Sequence, residues 1–465
     1  MNYVPPTDAI FLLAESRERP MHVGGLQLFR TPDGAGPDFV AGLIEEIRSH
    51  PVQWRQFTRR PADPVASFGN VWWTEDDDVD MEYHVRHSAV PRPGRIRELF
   101  QLTSRWHGTL LDRHRPLWEM HVVEGIEDNR FAVYTKLHHS LFDGVSALRM
   151  NERALSEDPD DPDFRTPWDR TVKKSLPATT NAGITPLSLI RNAAALGGTA
   201  LSAGGTAASF LPASLKLLNS ALRDNHFTTP FDAPRTILNT PIGGSRRFVA
   251  QSWEIERVQS VATAAGATLN DVVLTMCSGS IRRYLVEHNA LPDKSLTALV
   301  PVSLRRNDPE DFGGNAVGAV IASLATDVAD PFDRLLAIRE SVQSAKRVMS
   351  ELTPHQILMM SLFNISGLTF TPIPGFVSVT RPPFNIIISN VPGFRNRKYW
   401  KGAPLEGVYP ASIVMDGQAL NITLTSNVDK LDFGITGCRR SVPSLQRFIH
   451  HLEDSLAELE KAVGA

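Results

Sequence analysis

Apolar positions in the first third of the chain alternate between helical and strand spacing. Over residues 96–110 they recur three and four apart, which is typical of one face of an amphipathic helix. Segments 118–124 and 131–138 are short, rich in β-forming residues and separated by the turn sequence GIEDNR, so they predict a β-hairpin. This mixture predicts an N-terminal α/β domain over residues 1–165.

The C-terminal part repeats this mixture of strands and helices. Residues 296–304 and 319–328 predict strands, and apolar residues over 332–349 predict a long helix. One continuous apolar stripe over 445–463 predicts the last helix. A second α/β domain is therefore expected over residues 246–465, and the two halves are compatible with two copies of one fold.

The composition changes between these halves, over residues 166–245. This stretch is rich in Ala, Gly and Ser and predicts a linker that carries weak amphipathic helices. Residues 192–215 have no charged side chain, but small and hydroxyl residues transfer poorly into lipid, so a spanning helix is not expected. At the N-terminus, Thr7 and Asp8 predict a helix cap and not a signal peptide.

Overall composition excludes several classes of protein. Hydrophobic residues make up 42% and charged residues 21% of the 465 positions, which argues against a disordered or fibrous chain. The net charge of -3 gives no reason to expect a nucleic-acid partner. Two cysteines, Cys277 and Cys438, cannot build a disulfide framework or a four-thiolate metal site.

Candidate chemistry is concentrated in the sequence HHSLFDG, which begins at His138 and follows the predicted hairpin. Successive side chains of a strand point to opposite faces, so only one of the two histidines can face a given cleft. His139 is nearer the turn and is our candidate general base, with His138 in an auxiliary role. Asp143 is expected to fix the turn, and Gly144 permits a positive φ there.

The histidine pair has two alternative interpretations. A metal site is disfavoured because a strand splays the two side chains apart and no third ligand follows at a suitable spacing, so no metal and no cofactor is predicted. A purely structural pair is the other alternative, and His450-His451 in the last predicted helix is an internal example of it. That second pair lacks the following Asp-Gly turn.

Further motifs accompany the histidines in a fixed order. They are PLWE at 116–119, Asn270-Asp271, PVSLR at 301–305 and SNVPG at 389–393. Together with HHxxxDG, this set resembles the bacterial wax ester synthase/diacylglycerol acyltransferases, which belong to the superfamily of chloramphenicol acetyltransferase-like enzymes and condensation domains. The motifs span essentially the whole chain. One departure is Phe394, where the family often has a second proline.

The resemblance implies two chloramphenicol acetyltransferase-like α/β domains, with mixed sheets flanked by helices and the active site in a tunnel at their interface. It also implies transfer of a fatty acyl group from long-chain acyl-CoA to a fatty alcohol or to diacylglycerol, with acyl-CoA as a substrate and no separate cofactor. The implied location is the bacterial cytoplasm, with peripheral contact to the inner membrane face or to lipid inclusions.

Roles for individual residues follow from chemistry and from the resemblance. No GxSxG nucleophile elbow is present, so direct attack assisted by His139 is favoured. Asn270 is the candidate oxyanion donor, with helix capping as its alternative role. The resemblance assigns Asp143 a structural bond to Arg305 and makes Asp271 structural. Candidate substrate-binding residues are Pro116, Leu117, Trp118, Ser389 and Asn390, and core packing is the alternative for Pro116 and Trp118.

Two apolar or basic stretches bear on lipid substrates. Residues 357–379 carry no charge and are interpreted as core or, alternatively, as a flexible wall of an acyl tunnel. Residues 186–223 contain Arg191, Lys216 and Arg223 without an acidic residue, which is a weak indication of contact with an anionic lipid surface. Two rival functions stay open: a condensation-type enzyme that uses carrier-protein substrates, and a catalytically idle protein that binds lipid inclusions.

Overall fold

The computed structural model describes most of the chain. The described residues are 2–4, 6–62, 72–142, 144–169, 228–304, 316–352, 354–371 and 375–465. The predicted linker helices and the basic residues of 186–223 lie outside them. The prediction of an α/β protein with mixed sheets and flanking helices is confirmed.

Strands of the described residues fall into two six-stranded mixed sheets and one small sheet. Their bounds are β1 (Asn2–Tyr3), β2 (His22–Arg30), β3 (Arg59–Pro61), β4 (Trp72–Glu75), β5 (Val85–Ala89), β6 (Trp118–Ile126), β7 (Arg130–His138), β8 (Arg246–Glu254), β9 (Thr297–Leu304), β10 (Ala316–Ser323), β11 (Ile386–Phe394), β12 (Tyr399–Trp400), β13 (Ala403–Ala411), β14 (Leu420–Asn427) and β15 (Lys430–Cys438).

Helices pack on the outer faces of these sheets and between them. Their bounds are α1 (Pro6–Ala14), α2 (Phe39–Ser49), α3 (Met81–His84), α4 (Ile96–His107), α5 (Gly144–Arg153), α6 (Ile255–Ala264), α7 (Leu269–Glu287), α8 (Pro331–Ser350), α9 (Pro354–Ser366), α10 (Phe376–Val379) and α11 (Arg447–Val463). Short 3₁₀ turns occur at Arg55–Thr58 and Gly367–Phe370. In the parts of the chain that the structure describes, no helix is both long and apolar enough to cross a lipid bilayer.

Strand order links the two halves of the chain. The first sheet has the order β12-β13-β2-β7-β6-β5, and the second has the order β10-β9-β11-β14-β15-β8. β12 and β13 therefore come from the C-terminal half and pair in the first sheet, with β13 antiparallel to β2. The division of the chain at 1–165, 166–245 and 246–465 stays a prediction. The pairing of β13 with β2 places strands from the first and the last of these segments in one sheet.

The exchanged strand β13 crosses close to β15. A Cβ atom added to Gly434 would lie 1.8 Å from the backbone oxygen of Pro410, so only glycine allows this approach. The buried Asp432 bridges the crossing, because its Oδ2 accepts from Val408 N at 2.7 Å and its Oδ1 accepts from Ser252 Oγ at 2.6 Å. Burial raises the pKa of Asp432 to about 6, although these hydrogen bonds lower it in part.

Several local predictions are confirmed, and one predicted strand has different bounds in the structure. The hairpin is formed by β6 and β7, and the long and terminal helices are α8 and α11. The strand expected at 319–328 is β10, which ends at Ser323 because Ala325 adopts a positive φ in a turn before α8. Within 357–379, Met360 and Leu368 pack in the hydrophobic cores, which is the first of the two interpretations, whereas Phe363 and Val379 are exposed. No described residue of this stretch lines the chamber described below.

We expect Gly434→Ala to destabilise the protein by about 1–3 kcal/mol, the usual cost of forcing extra atoms into a packed interior. The reason is the contact of the new methyl group with the backbone of β13. Gly42→Ala is the matched control, because Gly42 lies in α2 with open space around its Cβ position, and it should leave stability unchanged or slightly raised. Urea unfolding of both variants measures the difference, and equal midpoints would contradict this account of the crossing.

Candidate active site

The two histidines lie where β7 ends, and the backbone of neighbouring segments holds them. Pairing of β7 with β2 places His138 opposite His22. His138 N donates to Leu117 O at 3.0 Å on one side, and His139 N donates to Met21 O at 2.9 Å on the other. The end of this strand is therefore bonded on both edges, which fixes the direction in which each imidazole points.

His139 faces a chamber between the two large sheets. Its ring stacks on the ring of Phe11 with centroids 4.4 Å apart and an interplanar angle of 20°, and only 1% of the residue is exposed. The stacking and the backbone bond together hold the imidazole at the chamber wall. A general base needs such a fixed position relative to the proton that it accepts.

The chamber has mainly apolar walls from both sheets and from α5. Its volume, including the opening to solvent, is about 870 Å³. The lining residues are Val23, Gly24, Gly25, Gln27, Thr135, Leu137, His139, Ala147, Leu148, Asn151, Ile387, Ser389, Val391, Val408, Pro410, Ala411, Ser412, Ile413, Asn421 and Thr423. The structure thus has a mainly apolar chamber between the two sheets, and walls of this character suit an alkyl chain.

His138 points to the opposite side of the sheet and is fully buried. Its Nδ1 lies 2.7 Å from Ser140 Oγ, and its Nε2 lies 3.3 Å from Glu15 Oε1. Because the two imidazoles diverge, as strand geometry predicts, they do not form a common metal site. The described residues include no group of three or more metal-ligating side chains.

Glu15 is a site residue that sequence reasoning missed. Its carboxylate accepts from Met21 N at 3.1 Å and from Arg113 Nη2 at 3.0 Å, in addition to facing His138. Burial alone would raise the pKa of Glu15, but the hydrogen bond and charge of His138 and the hydrogen bonds from Met21 and Arg113 lower it overall. Glu15 follows α1 directly, and its N–H donates to Phe11 O at 3.1 Å, which continues the helical turn and places the carboxylate near the histidines.

A second buried network lies behind β7, on the side of His138. Lys136 Nζ is 3.0 Å from Glu119 Oε2, and the same carboxylate contacts His121 Nε2 at 3.2 Å and Arg86 Nη2 at 3.2 Å. Burial by itself would raise the pKa of Glu119, but His121, Lys136 and Arg86 lower it to about 2. The carboxylate is therefore ionised at neutral pH and stabilises the buried ammonium of Lys136.

The PLW segment packs behind the histidines. Trp118 is fully buried, donates from Nε1 to Phe57 O at 2.9 Å and stacks on His84 with centroids 4.4 Å apart. Pro116 and Leu117 are also buried, and none of the three lines the chamber. The structure therefore shows the packing role that was the alternative interpretation, and their contact with substrate stays a prediction.

The SNVPG segment forms the second-sheet side of the chamber. Ser389 on β11 lines it, whereas the next residue, Asn390, points to the other face of the strand and does not. Gly393 is required locally, because an added Cβ would lie 1.9 Å from Ser426 O. Phe394, at the position of the departure from the family pattern, is buried in the core that includes Trp400.

The remaining predicted site residues lie elsewhere or outside the description. Asp271 forms a capping box with Thr268 at the start of α7, and Asn270 is half-buried beside it, without lining the chamber. The helix cap is thus Thr268, and the oxyanion role of Asn270 stays a prediction that no described contact with His139 supports. Gly144 is the first residue of α5. Asp143 and Arg305 lie outside the described residues.

Comparison with known proteins identifies the class and then the family. The fold resembles the first condensation domain of the calcium-dependent antibiotic synthetase, with a TM-score of 0.56 and 13% identity over 100% of this chain and 96% of that one. This likeness concerns the fold alone. Together with the two mixed sheets, it defines the fold as chloramphenicol acetyltransferase-like.

Closer matches cover the chain from end to end. Residues 4–273 match the wax ester synthase/diacylglycerol acyltransferase catalytic domain, and residues 313–460 match the C-terminal domain of the same family. The chain belongs to the wax ester synthase/diacylglycerol acyltransferase family. The resemblance inferred from the motifs is therefore confirmed.

Three full-length relatives illustrate this membership. A Mycobacterium bovis protein named as a diacylglycerol O-acyltransferase is 49% identical over 100% of both chains. The O-acyltransferase WSD of Acinetobacter baylyi is 41% identical over 100% of this chain and 98% of that one. The structure of a wax ester synthase/diacylglycerol acyltransferase from Marinobacter aquaeolei VT8 is 40% identical, with a TM-score of 0.79 and complete coverage of both chains.

We expect Glu15→Gln to destabilise the protein at neutral pH, because the amide cannot replace the negative charge that Arg113 and His138 face. Since folding depresses the pKa of Glu15, its contribution is fully present above the unfolded-state pKa, near 4.5, and is lost as the pH falls through the lower folded-state value. Urea unfolding of parent and variant from pH 7 to pH 3 measures this. The gap in stability should narrow below about pH 4.5, and a gap independent of pH would contradict the assignment.

Proposed function

We propose that this protein transfers a fatty acyl group from long-chain acyl-CoA to the hydroxyl group of a fatty alcohol or of diacylglycerol, giving a wax ester or a triacylglycerol. The observation that carries the proposal is the position of His139, whose imidazole lies at the wall of a mainly apolar chamber between two sheets. Family membership supports the same reaction, since full-length relatives are named as diacylglycerol O-acyltransferases.

The proposed reaction uses one histidine, His139, first as general base and then as general acid. In its neutral form the imidazole accepts the proton of the acceptor hydroxyl while the oxygen attacks the thioester carbonyl. Collapse of the tetrahedral intermediate breaks the bond between carbon and sulfur, and the imidazolium returns its proton to the departing sulfur. The products are an ester and coenzyme A, so atoms and charge balance without a covalent enzyme intermediate.

Neighbouring groups position the base and exclude water. Phe11 covers one face of the imidazole, and Met21 O fixes the backbone of His139. Asn270 is our hypothetical hydrogen-bond donor to the oxyanion. The hydroxyl group of Ser389, unlike Asn270, lines the chamber. His138 acts in this scheme as an auxiliary residue that positions the strand end through Glu15 and Ser140.

Substrates and location follow from the same proposal. Acyl-CoA is a substrate, and no additional cofactor takes part in the reaction as written. Both acceptors are insoluble in water, so we infer peripheral contact with the inner membrane face or with lipid inclusions in a bacterial cytoplasm. The basic residues Arg191, Lys216 and Arg223 support this contact by their charge alone.

The test is thiol release from palmitoyl-CoA by purified protein, with hexadecanol and diacylglycerol supplied separately. We expect acceptor-dependent release by the parent and a loss of roughly 100-fold or more in His139→Ala, because a positioned general base contributes about that much. The His450→Ala variant is the matched control, since His450 lies on the terminal helix and does not line the chamber.

Two outcomes would contradict the proposal. Absence of acceptor-dependent release from a folded parent protein would favour carrier-protein substrates, as in condensation domains, or an idle lipid-binding role. Full activity of the His139→Ala variant would contradict the role of His139 as general base, although the transfer reaction itself would stand. Circular dichroism of each variant shows whether a loss of release results from unfolding.

A further inference from the structure

Three polar side chains line the mainly apolar chamber on the side of the first sheet and α5. They are Gln27 on β2, Thr135 on β7 and Asn151 on α5, and each is at least 94% buried. Within the described part of the chain, Gln27 Nε2, Thr135 Oγ1 and Asn151 Oδ1 have no hydrogen-bond partner. A buried polar atom that lacks a partner costs stability, so these positions require an explanation.

The opposite wall of the chamber shows how polar side chains behave there when they serve packing. Thr423 Oγ1 donates to Asn421 Oδ1 at 2.8 Å, and it lies 2.8 Å from Ser412 Oγ. These three residues therefore bond to one another. The polar atoms of the first-sheet wall differ because they are directed to the same space but do not pair with each other.

Strand register places the three side chains together. Gly25 on β2 lies opposite Thr135, and a Cβ atom at Gly25 would lie 3.8 Å from Asn151 Nδ2. The amide of Asn151 is thus at the level of Thr135, while Gln27 lies two residues further along β2 on the same face. Thr135 precedes His139 by four residues, a separation of about 13 Å along the strand.

The three unpartnered polar atoms define which chemical groups a ligand needs in order to bind them. Gln27 Nε2 can only donate, Asn151 Oδ1 can only accept, and a threonine hydroxyl can do both. An unsubstituted alkyl chain would bury all three without a bond. A segment with carbonyl groups would satisfy the donors, and an amide would satisfy the acceptor as well.

We propose that Gln27, Thr135 and Asn151 form a polar subsite of the chamber, centred about 13 Å along the strand from His139, that binds a carbonyl-bearing segment of a substrate. This inference rests on the proposed acyl transfer. Two substrates supply such groups: the pantetheine arm of acyl-CoA carries amides a few bonds from the thioester, and diacylglycerol carries ester carbonyls next to its free hydroxyl. Hexadecanol carries neither, which separates the two sources experimentally.

The experiment uses Thr135→Val, Asn151→Leu and the double variant of the full-length protein. The KM for palmitoyl-CoA is measured with hexadecanol as acceptor, and the KM for dioctanoylglycerol is measured at saturating palmitoyl-CoA. If the subsite binds the pantetheine arm, the KM for palmitoyl-CoA rises roughly tenfold in the double variant, equivalent to a lost hydrogen bond. If it binds glycerol esters, only the KM for dioctanoylglycerol rises.

Thr297→Val is the matched control. Thr297 is 2% exposed, and its Oγ1 also has no partner among the residues that the structure describes, but it does not line the chamber. The control therefore makes the same substitution in the same kind of environment away from substrate. It should leave both KM values at those of the parent.

Ligand binding to the His139→Ala variant tests the subsite independently of the proposed reaction. Calorimetry with palmitoyl-CoA and with dioctanoylglycerol measures affinity where no turnover occurs, and the subsite variants should weaken one of the two. If the parent shows no transfer but Thr135→Val and Asn151→Leu still weaken binding, the reaction is wrong and the subsite stands. Unchanged or tighter binding of both ligands, with both KM values unchanged or lower, would overturn the subsite.

Discussion

The crossing of β13 between the two large sheets is the constraint on which the rest of this structure depends. β13 pairs with β2 in the first sheet while Asp432 of β15, in the second sheet, accepts a hydrogen bond from Val408 of β13. Gly434 allows the backbones to approach at that point. Because β13 and β2 both line the chamber, this contact sets the distance between its walls and therefore the space in front of His139.

Adjacent histidines have different environments because strand geometry separates them. His139 faces the chamber and contacts Phe11, whereas His138 faces a buried region that includes the carboxylate of Glu15. The two sides are connected through Met21, whose N–H donates to Glu15 and whose carbonyl accepts from His139. A change of charge at Glu15 therefore acts on the backbone that holds the chamber histidine, without touching substrate itself.

Local features were predictable from the sequence, but long-range pairing was not. The β6–β7 hairpin, the terminal helix and the chamber position of His139 each follow from periodicity or alternation within a few residues. The pairing of β13 with β2 joins residues almost 400 positions apart, and no local pattern encodes it. The same limit applies to Glu15 and to Trp118, since motif resemblance indicates importance without distinguishing packing from contact with substrate.

Alternation on the strands also explains why the polar wall of the chamber could be missed. Gln27 and Thr135 occupy the buried face of β2 and β7, where period-two patterning would place apolar residues. A polar residue at such a position is easily interpreted as an interruption of the pattern. In the folded chain, Gln27 and Thr135 instead line the chamber, and Gln27 Nε2 and Thr135 Oγ1 have no hydrogen-bond partner among the described residues. A chamber built only for alkyl chains would be more stable with apolar residues there, so three unpartnered polar groups, each at a cost in stability, fit a polar segment of a bound substrate.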